Sequence, residues 1–220
     1  MLKIPKLLVP IGLFISYLAV AIFIRSKFSD TTSFLNAIQG AYANIGYLLI
    51  FFGAVLESMF LVGLFVPGSL VLLMGAALSR LGIVEYPYVF ILGTSGLILG
   101  YTINYFLGKY GWYNILSFFG LSKGIEIGKT KLRKHGARTI LWGYFIPGSA
   151  SLLSTACGVL NMNFNKFLIL SILAQSFWSL FWGTIAYFFG IQIVEFIIKY
   201  FIFVLIGMGI VWGIKKFVKR

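Results

Sequence analysis

The sequence predicts an all-α integral membrane protein that contains an inverted repeat. Its 220 residues are 60% hydrophobic and 10% charged, whereas a soluble domain carries about 25% charged residues. A soluble fold of this size could not hide so much apolar surface. Two stretches, FVPGSLVLL at 65–73 and FIPGSASLL at 145–153, share six of nine residues. They predict two opposed re-entrant helical hairpins, accompanied by about four transmembrane helices.

Residues 1–44 are predicted to hold a first transmembrane helix and a connector. The apolar run Leu7–Ile24 is about long enough to span a bilayer. Ala19, Val20 and Ala21 resemble a signal-peptide cleavage site, but the apolar run continues past them, which favours a retained helix. The segment from Arg25 onward is more polar and is typical of a connector followed by an interfacial or helix-entry stretch.

Residues 45–190 are predicted to form the core, with the two hairpins at about 47–80 and 139–160. Full spans are expected at Tyr88–Leu107 and Phe167–Phe189. Between the first of these spans and the second hairpin we expect a short interfacial helix at 110–120 and a basic loop at 121–138. Residues 191–220 are predicted to form a turn at GIQIVE, a last span at Ile193–Ile214 and a basic tail.

The charged residues favour lipids over nucleic acid as partners. The formal net charge is +13, but Lys and Arg cluster beside apolar segments, where they orient spans and meet anionic headgroups. If each hairpin enters the membrane and returns to the side it came from, 14 of the 18 Lys and Arg residues lie on the same side of the membrane. The positive-inside rule then predicts a multi-pass protein of the cell (inner) membrane with both termini in the cytoplasm.

One cysteine and one histidine leave no disulfide framework within the chain and no usual zinc site. We expect Cys157 to be a small packing residue and His135 a solvated residue of the basic loop. No nucleophile–base pair or metal set is visible, so we expect neither an enzyme nor a cofactor. The Gly-rich segment IGMGIVWG could serve helix packing within one chain or in a homo-oligomer.

The repeated Pro-Gly-Ser breaks point to anion binding inside the membrane. Irregular backbone in hydrocarbon costs several kcal/mol per unpaired group, so it survives only where protein or water covers it. Pro67 and Pro147 can each begin a new helix, and Ser69 and Ser149 can offer their hydroxyls to free N–H groups. Two helix N-termini near the bilayer interior would attract a phosphate or a carboxylate. Alternatively, each Pro-Gly merely makes a tight turn.

Glu57 is the strongest single candidate for a functional residue, because it lies inside the apolar stretch FFGAVLESMFLVGLF. Ionisable residues within membranes are functional candidates by default. A carboxyl group there could exchange a proton during transport. The alternative is a protonated or hydrogen-bonded Glu57 that fixes the first hairpin.

At these residues the sequence resembles the DedA family, also called the VTT or SNARE-associated Golgi protein domain family. The resemblance covers roughly Tyr47–Phe189 and is carried by Glu57 with FVPGSLVLLMGAAL, by GYTINYFLGKYG, and by the run from Lys134 to Phe167. It implies two opposed re-entrant hairpins, a bacterial or archaeal inner-membrane protein, and a link to the flipping or scrambling of lipids and to the proton-motive force.

This chain departs from the family pattern where charges are usual. The resemblance implies an acidic residue at Ser69, an aspartate at Tyr101 and arginines at Tyr144 and Ala150. Among the family's usual membrane-embedded charges, only Glu57 remains.

The function expected from the sequence is that of a lipid flippase or scramblase, which moves a phospholipid or polyprenyl phosphate between leaflets past the two hairpins. The alternatives are a proton-coupled carrier of a small solute that uses Glu57, and a non-transporting membrane scaffold. The candidate substrate path comprises Glu57, Pro67, Gly68, Ser69, Tyr101, Asn104, Tyr144, Pro147, Gly148, Ser149 and Ser151.

Overall fold

A computed structural model describes residues 26–27, 31–59, 68–111, 122–146 and 149–217, with the side chains of the last helix described up to residue 190. Within these ranges the chain forms seven α-helices and no strand. The helices are α1 Thr31–Ser58, α2 Gly68–Ser79, α3 Tyr86–Lys109, α4 Ser122–His135, α5 Ala137–Gly143, α6 Ser149–Val159 and α7 Phe164–Phe217. The predicted first span at 7–24 and most of the predicted interfacial helix at 110–120 lie outside the described residues.

Three of the described helices are long and apolar enough to cross a membrane. They cover Leu35–Ser58, Tyr86–Lys109 and Phe164–Gly190. Two of them coincide with the predicted spans at 88–107 and 167–189, which are confirmed. The third occupies the predicted connector and the first arm of the predicted first hairpin.

Helix α3 is the centre of the bundle. Half of its spanning window is buried, against 22% and 28% for the other two spans, and it contacts α1, α2, α6 and α7. Its glycines allow the backbones to approach closely. A Cβ at Gly100 would lie 1.8 Å from the Ser58 hydroxyl oxygen, and one at Gly108 would lie 2.2 Å from the Thr155 carbonyl oxygen. Such close packing of small residues is typical of helices in membranes.

The described helices include two pairs, α1 with α2 and α5 with α6, and each pair is followed by a tight turn and a long helix. Helix α2 runs back along α1, because Gly53 meets Val71 and Gly46 meets Val84. Helix α6 runs back along α5, because Gly143 meets Leu153 and Ala137 lines a cavity with Leu160.

The second helix of each pair packs on a long helix, α2 on α7 and α6 on α3. The open ends of the two helical pairs lie at opposite ends of α3. Tyr47 at the first pair packs against Tyr88, near the start of α3. Gly158 at the second pair meets Lys109, the last residue of α3.

Helix α1 breaks at Ile45, whose backbone angles of φ −133° and ψ 19° are not helical. The predicted change from an interfacial stretch to a hairpin arm therefore appears as a kink within one element. Tyr42 lies just before the kink and donates from its hydroxyl to the carbonyl oxygen of Val71 at 2.6 Å. This bond fixes the entering segment to α2.

The predicted basic loop is a helix in its greater part, α4, and that prediction is wrong. The buried residues Ile125, Gly128 and Leu132 recur at helical spacing and face α6. The lysines and arginines lie mostly on the other, exposed face. His135 ends the helix and is exposed, as expected, and Cys157 is fully buried as a packing residue.

The predicted turn at GIQIVE is also wrong, because α7 continues through it without a break. A single glycine and no proline stand in this segment, so nothing in it forces the helix to end. A helix of 54 residues is about 80 Å long, more than twice the thickness of the hydrocarbon core. The predicted return of the C-terminus to the side of the N-terminus relied on that turn and loses its support.

Candidate functional site at the helix breaks

The backbone carbonyl of Ser58, the last residue of α1, joins three elements. It accepts hydrogen bonds from the Asn104 side-chain amide at 2.6 Å and from the Ser151 hydroxyl at 3.0 Å. Asn104 belongs to α3 and is fully buried, and Ser151 belongs to α6. The helix that precedes the first break therefore meets the helix that follows the second.

The hydroxyl of Tyr144 makes a second junction. Tyr144 directly follows α5, and its hydroxyl lies 3.1 Å from the Ser154 hydroxyl of α6 and 2.8 Å from the Ser171 hydroxyl of α7. All three residues are buried. The ring of Tyr144 packs against that of Tyr101 with centroids 4.9 Å apart. The two tyrosines thereby connect this junction to α3, where Asn104 lies one turn beyond Tyr101. We call these residues the junction cluster: Ser58, Tyr101, Asn104, Tyr144, Ser151, Ser154 and Ser171.

The cluster lies nearer to one end of the membrane-spanning bundle than to the other. Asn104 is five residues from the end of α3 and 18 from its start, which correspond to about 8 Å and about 27 Å along a helix axis. A polar group at this depth is below the headgroups on one side and separated from them by most of the hydrocarbon on the other.

Four of the eight predicted site residues that the structure describes come together here, because Tyr101, Asn104, Tyr144 and Ser151 belong to the junction cluster. Glu57 directly precedes Ser58 in α1 and is half-buried. Gly68 and Ser69 begin α2, with only their backbone described. Pro67, Pro147 and Gly148 lie outside the described residues.

Ser149 differs from its predicted role. Its hydroxyl donates to the carbonyl oxygens of Gly143 and, at 2.9 Å, Ile146, and does not cap the N–H groups of the following helix. Both carbonyls also accept a backbone N–H, from Ile146 and from Ser149 respectively. The hydroxyl of Ser149 therefore adds a bond to the turn between α5 and α6.

Several polar residues of the bundle were not predicted from the sequence. Ser58, Ser154, Ser171, Gln175 and Ser179 are buried inside apolar helices. On α7 the last three recur every fourth residue, and the Gln175 amide donates to the Ser179 hydroxyl at 3.0 Å. This period places them on one face of α7, which is the only sequence signal that could have identified them.

The junction cluster is a set of neutral donors and acceptors next to one carboxyl group. Among the described residues, no group of three or more His, Cys, Asp or Glu could hold a metal ion. Amide and hydroxyl donors can bind phosphate oxygens, although without the strength that arginine adds.

Comparisons with known proteins identify similar membrane proteins. The VTT domain family matches residues 47–188, which confirms the resemblance stated above. An uncharacterized membrane protein of Synechocystis is 27% identical over 161 residues, which cover 71% of this chain and 72% of the relative. The undecaprenyl phosphate transporter A of Bacillus subtilis is 26% identical over 153 residues, which cover 67% and 74%.

A further relative, an uncharacterized membrane protein of Buchnera aphidicola from Acyrthosiphon pisum, is 33% identical over 137 residues. That match covers 60% of this chain and 54% of the relative, so this chain spans little more than half of that protein's length. No solved structure matches the chain.

Proposed function

The chain belongs to the VTT domain family, and from this membership we propose that it moves a phosphate-bearing lipid between the leaflets of the cell (inner) membrane. In this proposal the two helical pairs are re-entrant hairpins of an inverted repeat, open to opposite sides, with the basic helix α4 in the cytoplasm. One relative is named a transporter of undecaprenyl phosphate, which supports a phosphate-bearing lipid as the substrate.

The observation that carries the proposal is the pair of donors on the Ser58 carbonyl. Asn104 and Ser151 come from different helices and meet at one acceptor. A phosphate oxygen could replace the Ser58 carbonyl as that acceptor if the end of α1 moved away. The headgroup would then pass between the helix breaks while its acyl chains stayed in the lipid, so no charge would need to enter bare hydrocarbon.

The test is lipid movement in liposomes that contain the purified protein. Wild type should move fluorescent phosphatidylglycerol or a polyprenyl phosphate faster than empty liposomes do. Ser151→Ala removes one donor and should slow movement about tenfold, because a hydrogen bond to a charged group contributes about 1.5–3 kcal/mol. Ser95→Ala is the matched control, since Ser95 is exposed on α3 and bonds only to its own helix in the structure, at the Leu92 carbonyl. Wild-type rates equal to those of empty liposomes for every lipid would contradict the proposal.

Proton-coupled transport of a small solute is a second candidate, favoured by the half-buried carboxyl group of Glu57, which directly precedes Ser58 of the junction cluster. Glu57→Gln keeps the shape of the side chain and removes its ionisable group. In this candidate the variant loses the response of uptake to an imposed pH gradient. An unchanged response would remove the candidate's basis.

A non-transporting scaffold is the third candidate. It is favoured by the closed packing of the cluster, in which Asn104 is fully buried and the rings of Tyr101 and Tyr144 touch. In this candidate, Ser151→Ala leaves lipid movement at the level of empty liposomes, as wild type does, and changes only the stability of the protein.

A further inference from the structure

A cavity of about 330 Å³ lies where α4, α5, α6 and α7 meet, and none of its lining residues belongs to the junction cluster. Leu132, Cys157, Leu160 and Met162 give it an apolar wall, and the cationic side chains of Arg133 and Lys166 complete its lining. We call it the basal cavity. An apolar wall with two cations is the surface that an amphipathic anion fits.

The basal cavity lies at the level where a membrane has its headgroups. The span in α7 begins at Phe164, two residues before Lys166. The span in α3 ends at Lys109, which meets Gly158, a close neighbour in sequence of Leu160. Two spanning helices thus reach their polar ends beside this cavity, and phospholipid phosphates occupy that level of a bilayer.

Charge around the basal cavity is strongly positive. Helix α4 and the start of α5 contribute Lys129, Lys131, Arg133, Lys134 and Arg138, most of them exposed. The acidic side chain of this segment is that of Glu126, which forms an ion pair with Lys129 at 2.8 Å. Cationic segments next to a membrane span attract anionic lipids.

We propose that the basal cavity binds an anionic phospholipid, with its phosphate between Arg133 and Lys166 and the first carbons of its acyl chains against Leu132, Leu160 and Met162. Arginine can bind a phosphate through two parallel hydrogen bonds, and lysine binds it as a point charge. The lipid would join the end of α4 to the start of α7. This site is separate from the junction cluster and does not depend on transport.

The test is retention of lipid by the full chain, purified in mild detergent and measured by native mass spectrometry. The probes are phosphatidylglycerol and, as the neutral comparison, phosphatidylcholine. Arg133→Gln with Lys166→Gln removes the two cations of the cavity. Lys131→Gln with Lys134→Gln removes the same charge from the exposed face of α4 and is the matched control. All four residues are exposed or half-exposed, so neither pair disturbs the core.

The proposal expects wild type to retain phosphatidylglycerol in preference to phosphatidylcholine. It expects the cavity pair to weaken retention at least about tenfold, since each cation close to the lipid phosphate contributes about 1 kcal/mol. It expects the control pair to weaken retention less than about twofold, because Lys131 and Lys134 do not line the cavity. Equal losses of lipid retention in both double variants would indicate that the lipid is attracted by the overall positive charge and would overturn the proposal. Unchanged retention in both double variants would also overturn it. Displacement of the lipid by excess glycerol 3-phosphate would overturn it as well, because the cavity would then take a soluble phosphate. Failure of lipid movement in liposomes would leave this result unaffected.

Discussion

At the scale of single residues, glycines set the distance between the helices. Gly100 has no room for a side chain, because a Cβ there would lie 1.8 Å from the Ser58 hydroxyl oxygen and 2.8 Å from the Val55 carbonyl oxygen. The same close approach brings the Ser58 carbonyl within reach of Asn104. One glycine thus fixes both the packing of α1 on α3 and the position of the carbonyl that the phosphate oxygen would replace.

Gly100→Ala should therefore destabilise the protein by about 1–3 kcal/mol, the usual cost of overpacking a core. The measurement is thermal unfolding in detergent. Gly40→Ala is the control, because Gly40 lies within α1 and nothing approaches its Cβ position within 4 Å. That control should leave the stability unchanged or raise it by up to about 1 kcal/mol, as alanine favours a helix. Equal melting temperatures for the two variants would contradict the assigned contact.

Tyr144→Phe tests the second junction at the same scale. It removes the hydroxyl that meets Ser154 and Ser171 and keeps the ring that packs on Tyr101. We expect a loss of about 0.6–1.7 kcal/mol in unfolding free energy, the range measured for hydrogen bonds between membrane helices. Tyr88→Phe is the control, because the Tyr88 side chain is exposed. An equally large loss of unfolding free energy in Tyr88→Phe would mean that the buried hydroxyl of Tyr144 does not stabilise the protein more than an exposed one does.

The sequence predicts single residues of the site only where a motif marks them. Glu57 and Ser151 follow from their places near the repeated breaks. Ser58 does not, because an isolated serine in an apolar helix looks like any other small residue. The bond from Ser151 to Ser58 joins residues 93 apart in the chain, and such a contact needs the fold before it can be recognised.

At the scale of elements, spans could be predicted from hydrophobic length, and α4 could not. The polar, basic composition of residues 121–138 made this segment resemble a loop. In the structure Gly124 and Gly128 allow α4 to dock on α6, since a Cβ at Gly128 would lie 3.2 Å from the Ala156 Cβ. The helix is stabilised by this tertiary contact. The amphipathic period of its apolar residues is the sequence pattern that predicts a helix, although the overall composition of the segment is polar.

Gly128→Leu should release α4 from α6, because the larger side chain has no space at that contact. We expect trypsin to cleave within α4 about tenfold faster than in wild type, since locally opened segments are cleaved in proportion to the population of the open state. Thr130→Leu adds similar bulk on the exposed side of the same helix and should leave the rate unchanged. Equal cleavage of the two variants would show that this contact does not hold α4 in place.

At the scale of the whole molecule, the two helical pairs open toward opposite ends of α3. If those ends face opposite sides of the membrane, as proposed, single cysteines at the two open ends should react from opposite sides. Cys157→Ala provides a background without cysteine. Leu81→Cys, in the turn after α2, and His135→Cys, at the end of α4, are both exposed positions.

In sealed vesicles of one orientation, an impermeant maleimide should label only one of these two positions. The other should react only after the vesicles are opened with detergent. The background without cysteine should not react in either condition. Labelling of both positions in sealed vesicles would place the two open ends on the same side and would contradict the opposed arrangement.

The off-centre position of the junction cluster has an electrical consequence. Because a membrane voltage falls across the low-dielectric part of the bundle, an anionic headgroup that reaches Asn104 along the short arm of about 8 Å would cross little of the voltage. One that reaches it along the arm of about 27 Å would cross most of it. Occupancy from the two leaflets would then respond unequally to the same potential, so that a passive path between the leaflets would act as a weak rectifier.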